Sequence, residues 1–169
     1  IFSEIFFKSL KKLKFKRPIV LIASKDIFKK QMKKLGYKYQ FNLIDERLSK
    51  KIYYKKNLIN IIDVDFKFAK TFDKISDKSN KYISECFFIA NNLLKNKKAY
   101  ALINGPISKK NFLKEKYLGI TEYLSKMNNI KNFAMLIYNK DFSVSPITTH
   151  IAIKKVSSQI SKKKIITQV

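Results

Sequence analysis

Apolar positions along this chain recur in two rhythms, and the switches between them predict alternating helices and strands. Near the start, Phe2, Ile5, Phe6, Leu10 and Leu13 return mostly at steps of three and four, which is the period of a helix. Residues 18–23 (PIVLIA) form a short apolar run opened by proline, as suits a buried strand. Ser24 and Asp26 can then cap a helix running through Phe28, Met32 and Leu35, with Gly36 as its stop. Strands are expected again at 39–44 and 58–64, on either side of a polar, lysine-rich loop at 45–58. No clean period marks 65–78. The clearest helix covers Asn80–Lys95, where Tyr82, Cys86, Phe87, Ala90, Leu93 and their neighbours make a broad apolar face. Cys86 lies on that face and reads as a buried structural thiol.

Further along, 99–103 (AYALI) predicts another buried strand leading into Asn104, Gly105 and Pro106. Ser108 can cap a short helix, and a second helix follows Gly119 over Ile120–Met127. Strands are expected at 133–138 (FAMLIY) and 142–147. A lysine-rich helix marked by Val156, Ile160 and Ile165 is expected from Lys154 onward. Strands alternating with helices predict an α/β sheet.

Composition narrows the picture. The chain has 169 residues, 46% of them hydrophobic, with only three glycines and three prolines, so it is neither disordered nor a linker. At this length a single domain with a real core is the first expectation. One cysteine excludes an internal disulfide framework and a cysteine-rich zinc site, and it fits a reducing compartment, the cytoplasm. No apolar run approaches the roughly 20 residues that span a bilayer, and the N-terminus lacks the order of a signal peptide.

A formal charge of +25, from 37 basic and 12 acidic residues, raises the question of a polyanion partner. Against that partner, the basic residues are almost all lysine, with arginine only at 17 and 47, whereas base and phosphate readout favours the arginine fork. Lysine, isoleucine, asparagine, phenylalanine, tyrosine and methionine also make up more than half the chain, as AT-rich codons would produce. Two sources of the charge stand side by side, codon bias and a selected surface. The first implies neither a nucleic-acid nor a membrane partner.

Chemistry in an open α/β sheet gathers where strands turn into helices. The turn at 101–110 (ALINGPISKK) offers Gly105 for a tight reversal, with Ser108 and Lys109 near a helix N-terminus that can hold an anion. A simple connecting turn would read the same way. The segment 145–153 (SPITTHIAI) carries His150, the only histidine, which is either a structural residue or a metal ligand or acid–base group.

Together these segments resemble the 4-hydroxythreonine-4-phosphate dehydrogenase family, PdxA. The family pattern of an ALxTxP strand-turn with a following lysine, a GHTExL helix start and a TTHxPL segment is met by three stretches. They are 101–106 with Lys109, 119–124 (GITEYL) and 148–153 (TTHIAI), in the family's order. The resemblance implies a three-layer α/β/α fold like that of isocitrate and isopropylmalate dehydrogenases, present here incompletely. It further implies a cytoplasmic homodimer that oxidises the C3 hydroxyl of 4-phosphohydroxy-L-threonine with NAD or NADP, followed by decarboxylation, in pyridoxal 5'-phosphate biosynthesis.

Also implied is a divalent metal (Zn, Mg or Co) held by three histidines, of which His150 matches the first. Thr121 matches a substrate-binding residue, Ile120 stands at the neighbouring family histidine, and Lys109 is a further substrate-binding candidate. Three positions depart from the family: Ile120 for histidine, Asn104 for threonine and Ala152 for proline. The family's glycine-rich N-terminal segment leaves only Glu4 of its polar residues, and its other two metal histidines belong to a second half. The resemblance therefore implies a piece of about half the enzyme, with an internal boundary between 100 and 150. A paralogue acting on threonate or erythronate 4-phosphate, an inactive copy, and a basic polyanion-binding protein are the alternatives.

Overall fold

A computed structural model describes every residue except 14, 16, 46–52 and 169. Most of the polar loop expected at 45–58 therefore lies outside the described residues. Two compact units divide the chain, Ile1–Phe112 and Leu113–Val169.

In the first unit the elements are α1 (Phe2–Lys12), β1 (Val20–Ala23), α2 (Lys25–Lys34), β2 (Phe41–Leu43), β3 (Ile59–Asp63) and α3 (Asn80–Lys95). The strands form a parallel sheet in the order β1-β3-β2, with Leu21 beside Ile61 and Asn42 beside Asn60. Side chains alternate across the sheet, so each strand serves two cores. Leu21, Ala23, Ile59 and Ile61 point to one side, against Phe7 of α1 and Phe28 and Met32 of α2. Val20, Ile22 and Ile62 point to the other, against Ile89 and Leu93 of α3. Helices on both faces of a parallel sheet make the α/β/α sandwich that the sequence predicted.

Within α1 the buried side is rotated from the expected one. Phe7 and Ser3 are buried, while Phe2, Ile5 and Leu13 are exposed. Glu4 accepts a hydrogen bond from Lys8 Nζ at 2.7 Å on the exposed side, and the Lys8 ammonium lowers its carboxyl pKa. The stop of α2 is as expected. Gly36 takes a φ of +74°, and the Tyr37 N–H closes back on the Met32 carbonyl.

One polar residue sits inside the sheet. Asn60 is buried on β3, where its Oδ1 accepts from Asn42 Nδ2 (2.8 Å) and the Lys55 N–H (2.9 Å). Its Nδ2 donates to the Lys55 carbonyl at 3.2 Å, so a buried amide pins the approach to β3 without leaving its own groups unpaired.

Three expected strands do not form. Residues 99–103 are irregular, with Tyr100 and Ile103 exposed, although Ala99 packs beside the β1 and α3 residues. The segments 133–138 and 142–147 meet only through a single antiparallel bridge, Ile137 to Val144. An apolar run becomes a strand only when a neighbour pairs its backbone, and no described residue offers these runs a ladder.

In the second unit α4 (Ile120–Met127) lies where the period placed it. The expected C-terminal helix is broken. A 3₁₀ turn leads into α5 (Val156–Gln159), Ile160 is extended, and α6 (Lys162–Gln168) follows. Its sparse apolar positions find no core to hold one continuous helix, since Val156 is half-buried and Ile160 exposed.

Candidate functional site

The carboxyl ends of parallel strands are where such sheets bind ligands. Here the end of β1 is closed by the protein's own groups. The Ser24 N–H donates to the Tyr82 hydroxyl at 2.9 Å and the Lys25 N–H donates to Asp63 Oδ1 at 2.8 Å. Two free donors of the α2 N-terminus are thus satisfied by residues 58 and 38 positions away, whereas the Ser24 side chain makes no capping bond. The sequence placed the cap on Ser24 and Asp26. Nothing local could have revealed Tyr82 and Asp63, because the sheet and α3 bring them there.

Phe66 packs on the Tyr82 ring at 4.7 Å between centroids, and burial raises the phenol pKa. Burial also pushes the neighbouring Cys86 thiol from 9.0 up to about 11, which is the opposite of what a nucleophile needs. Folding therefore favours the protonated thiol. Its stabilising contribution is complete below pH 9 and is lost as the pH rises toward 11, at about 1.4 kcal/mol per unit. Urea denaturation between pH 9 and 10 should show a shallower decline for Cys86→Ser than for the unmodified chain. Equal slopes would refute the buried thiol.

The turn after residue 103 belongs to the first unit. Gly105 is needed there for contact rather than reversal: a Cβ on it would run into the Phe2 ring of α1. Ser108 does start a helical turn, a five-residue π-helix over Lys109–Leu113. Its Oγ accepts from the Asn111 N–H (3.3 Å) and donates to Asn111 Oδ1 (2.9 Å). Asn111 in turn donates to Asp77 Oδ1 and accepts from Asn80 Nδ2 at the α3 N-terminus, so side chains tie this turn to α3. Lys109 projects from the turn as an exposed residue.

Ile120, Thr121 and His150 lie in the second unit. Ile120 and Thr121 occupy the first two positions of α4 and are half-buried, after Gly119 as N-cap. His150 is exposed and left-handed, with φ +57°, in the segment before the 3₁₀ turn Ile153–Lys155. Histidine is among the few non-glycine residues enriched in that conformation, and such positions cluster at functional sites. Among the described residues no hydrogen bond or ion pair engages the imidazole, and no group of three histidine, cysteine, aspartate or glutamate side chains can hold a metal. One imidazole does not fit a metal by itself.

Sequence reasoning did not single out a shallow groove of about 630 Å³ in the first unit. Lys29, Lys30 and Lys33 of α2 line it together with Tyr37, Lys38 and Tyr39, and none of the candidate residues borders it. Lysines at the end of α2 also complement the helix dipole, which accounts for their placement there.

The sequence profile of the family described as "Pyridoxal phosphate biosynthetic protein PdxA" matches residues 14–169. A 4-hydroxythreonine-4-phosphate dehydrogenase of Sulfurihydrogenibium sp. (strain YO3AOP1) is 36% identical over 174 residues, covering 99% of this chain and 51% of the relative. One from Campylobacter fetus subsp. fetus (strain 82-40) is 34% identical over 94 residues, which are 54% of this chain and 30% of that protein. The crystal structure of the Klebsiella pneumoniae enzyme of the same name superposes with a TM-score of 0.80. It is 21% identical and matches 99% of this chain to 52% of its own. The chain spans about half the length of the longest-matching relatives. No helix among the described residues is long and apolar enough to cross a membrane.

Proposed function

The chain belongs to the family of the pyridoxal phosphate biosynthetic protein PdxA, and on that premise we propose that it is part of a dehydrogenase of 4-phosphohydroxy-L-threonine. The observation that carries this reading is the profile match over residues 14–169, which includes all three motif stretches in family order. In the reaction, C3 of the substrate gives a hydride to NAD or NADP and its hydroxyl loses a proton. The β-keto acid so formed then releases carbon dioxide.

Thr121 offers a hydroxyl that can hydrogen-bond the substrate from the first turn of α4, and the Lys109 ammonium can pair with the substrate's negative charge. His150 is the one imidazole that this chain contributes to the divalent metal implied by the resemblance. The remaining ligands come from family segments that the chain does not span. A cytoplasmic homodimer is the assembly implied by the same resemblance.

Ile120 favours a second reading within the same chemistry. A branched alkyl side chain at the family's histidine position can neither donate nor accept a hydrogen bond. The pocket would then favour a substrate lacking the amino group, such as threonate or erythronate 4-phosphate. A family-length protein carrying this sequence separates the two when NAD+ reduction is followed with each phosphate ester. Reduction with 4-phosphohydroxy-L-threonine alone supports the first reading, and reduction with a threonate or erythronate ester alone supports the second. Activity with none of them overturns both. Ile120→His is expected to raise kcat/KM for 4-phosphohydroxy-L-threonine relative to the other esters by about tenfold or more, the worth of one regained polar contact.

A further inference from the structure

Every residue from 131 to 145 is exposed, and 133–138 within that stretch is an unbroken apolar hexapeptide. Leu136 and Ile137 are each about 60% exposed, and Tyr138 and Phe142 are more so. Beyond Leu113 no described residue of the second unit is buried. Soluble monomers rarely leave apolar runs of this size in water.

The backbone there is equally unfinished. The Ile137 N–H donates to the Val144 carbonyl at 2.8 Å and the return bond is 3.0 Å, but no further ladder extends the pair. Two extended segments joined at one bridge offer free N–H and C=O groups on both edges, which is a template for added strands. Lone two-stranded ribbons are marginal in water.

Two occupants compete for this face. A second copy of the chain would bring the same charge of +25, and its Lys131 and Lys140 flank the apolar stretch on both copies, so like charges oppose self-docking. By contrast, the Sulfurihydrogenibium relative aligns with 99% of this chain using 51% of its own length, so a comparable length of polypeptide accompanies the matched half. We infer that residues 133–144 are the docking face for that other half of a family-length polypeptide, which adds strands to the Ile137–Val144 bridge and covers Leu136, Tyr138 and Phe142. The inference concerns assembly and does not depend on which phosphate ester is oxidised.

The test mixes the 169-residue chain with the half of the Sulfurihydrogenibium relative that it does not match, produced as a separate polypeptide. Backbone amide exchange and sedimentation are then followed. Amides at 133–144 are expected to exchange at least tenfold more slowly in the mixture than in either half alone. The double variant Leu136→Lys, Ile137→Lys should weaken association at least tenfold. Both positions are exposed, so exchange at Ile61 in β3 should stay unchanged and show that the variant still folds. Unslowed exchange at 133–144 would overturn the inference, as would association that ignores the double variant. Protection of these amides in the chain alone, at the same concentration, would assign the face to a second copy instead.

Discussion

Replacing Phe7 with alanine should lower the unfolding free energy by about 3–5 kcal/mol, the range for deleting a buried aromatic ring and leaving its cavity. Phe7 is wholly buried between α1 and the sheet. Its ring lies 4.9 Å from Phe28 and stacks on Tyr37 at 5.0 Å and on Tyr39 at 5.9 Å between centroids. Deletion removes the hub of that cluster, so α1 and the 37–39 segment lose their shared partner together. Against a whole-domain stability of about 5–15 kcal/mol, such a loss is a large fraction. Phe7→Leu, which keeps most of the volume, should cost less than half as much. Urea midpoints of the two variants check the order. A Phe7→Ala midpoint close to the unmodified chain would mean that this cluster is not the core of the first unit.

The second large effect is expected on activity. In a family-length protein, His150→Asn should lower kcat/KM at least about 100-fold, because even partners that only orient a ligating imidazole cost about 10–100-fold when removed. Asparagine is the informative replacement. It tolerates the left-handed backbone that His150 occupies at φ +57°, so the turn keeps its shape while the imidazole is lost. His150→Ala removes the same ring but adds backbone strain, and it serves as a check on that variable. Since His150 is exposed, the melting temperature of the asparagine variant should stay within about 2 °C of the unmodified protein. Retained activity would remove His150 from the chemistry, whereas a large fall in melting temperature would assign it a structural role.

The candidate positions were legible as residue types and spacings. Thr121 and His150 stand at motif positions that a reader of the linear chain can find, and α4 begins where Gly119 and the apolar period place it. Their environment was not legible. The exposure of Lys109, the half-burial of Ile120 and Thr121 and the left-handed backbone of His150 follow from how each turn folds. The α2 N-terminus shows the same limit from the other side, since its true caps, Tyr82 and Asp63, come from distant positions.

By itself the sequence determined the elements whose forces are local. The helices α2, α3 and α4 follow from apolar residues spaced by the helical period, with Gly36 and Gly119 marking boundaries through backbone freedom. The strands β1 and β3 follow from short apolar runs that could be buried on both faces. Only the tertiary structure decided which runs became strands and which side of α1 was buried. Residues 20–23 and 59–63 find each other and form a ladder, whereas 99–103 and 133–138 are just as apolar and find none. Strand pairing depends on a second segment distant in sequence, and the hydrophobic pattern of one run carries no information about that partner.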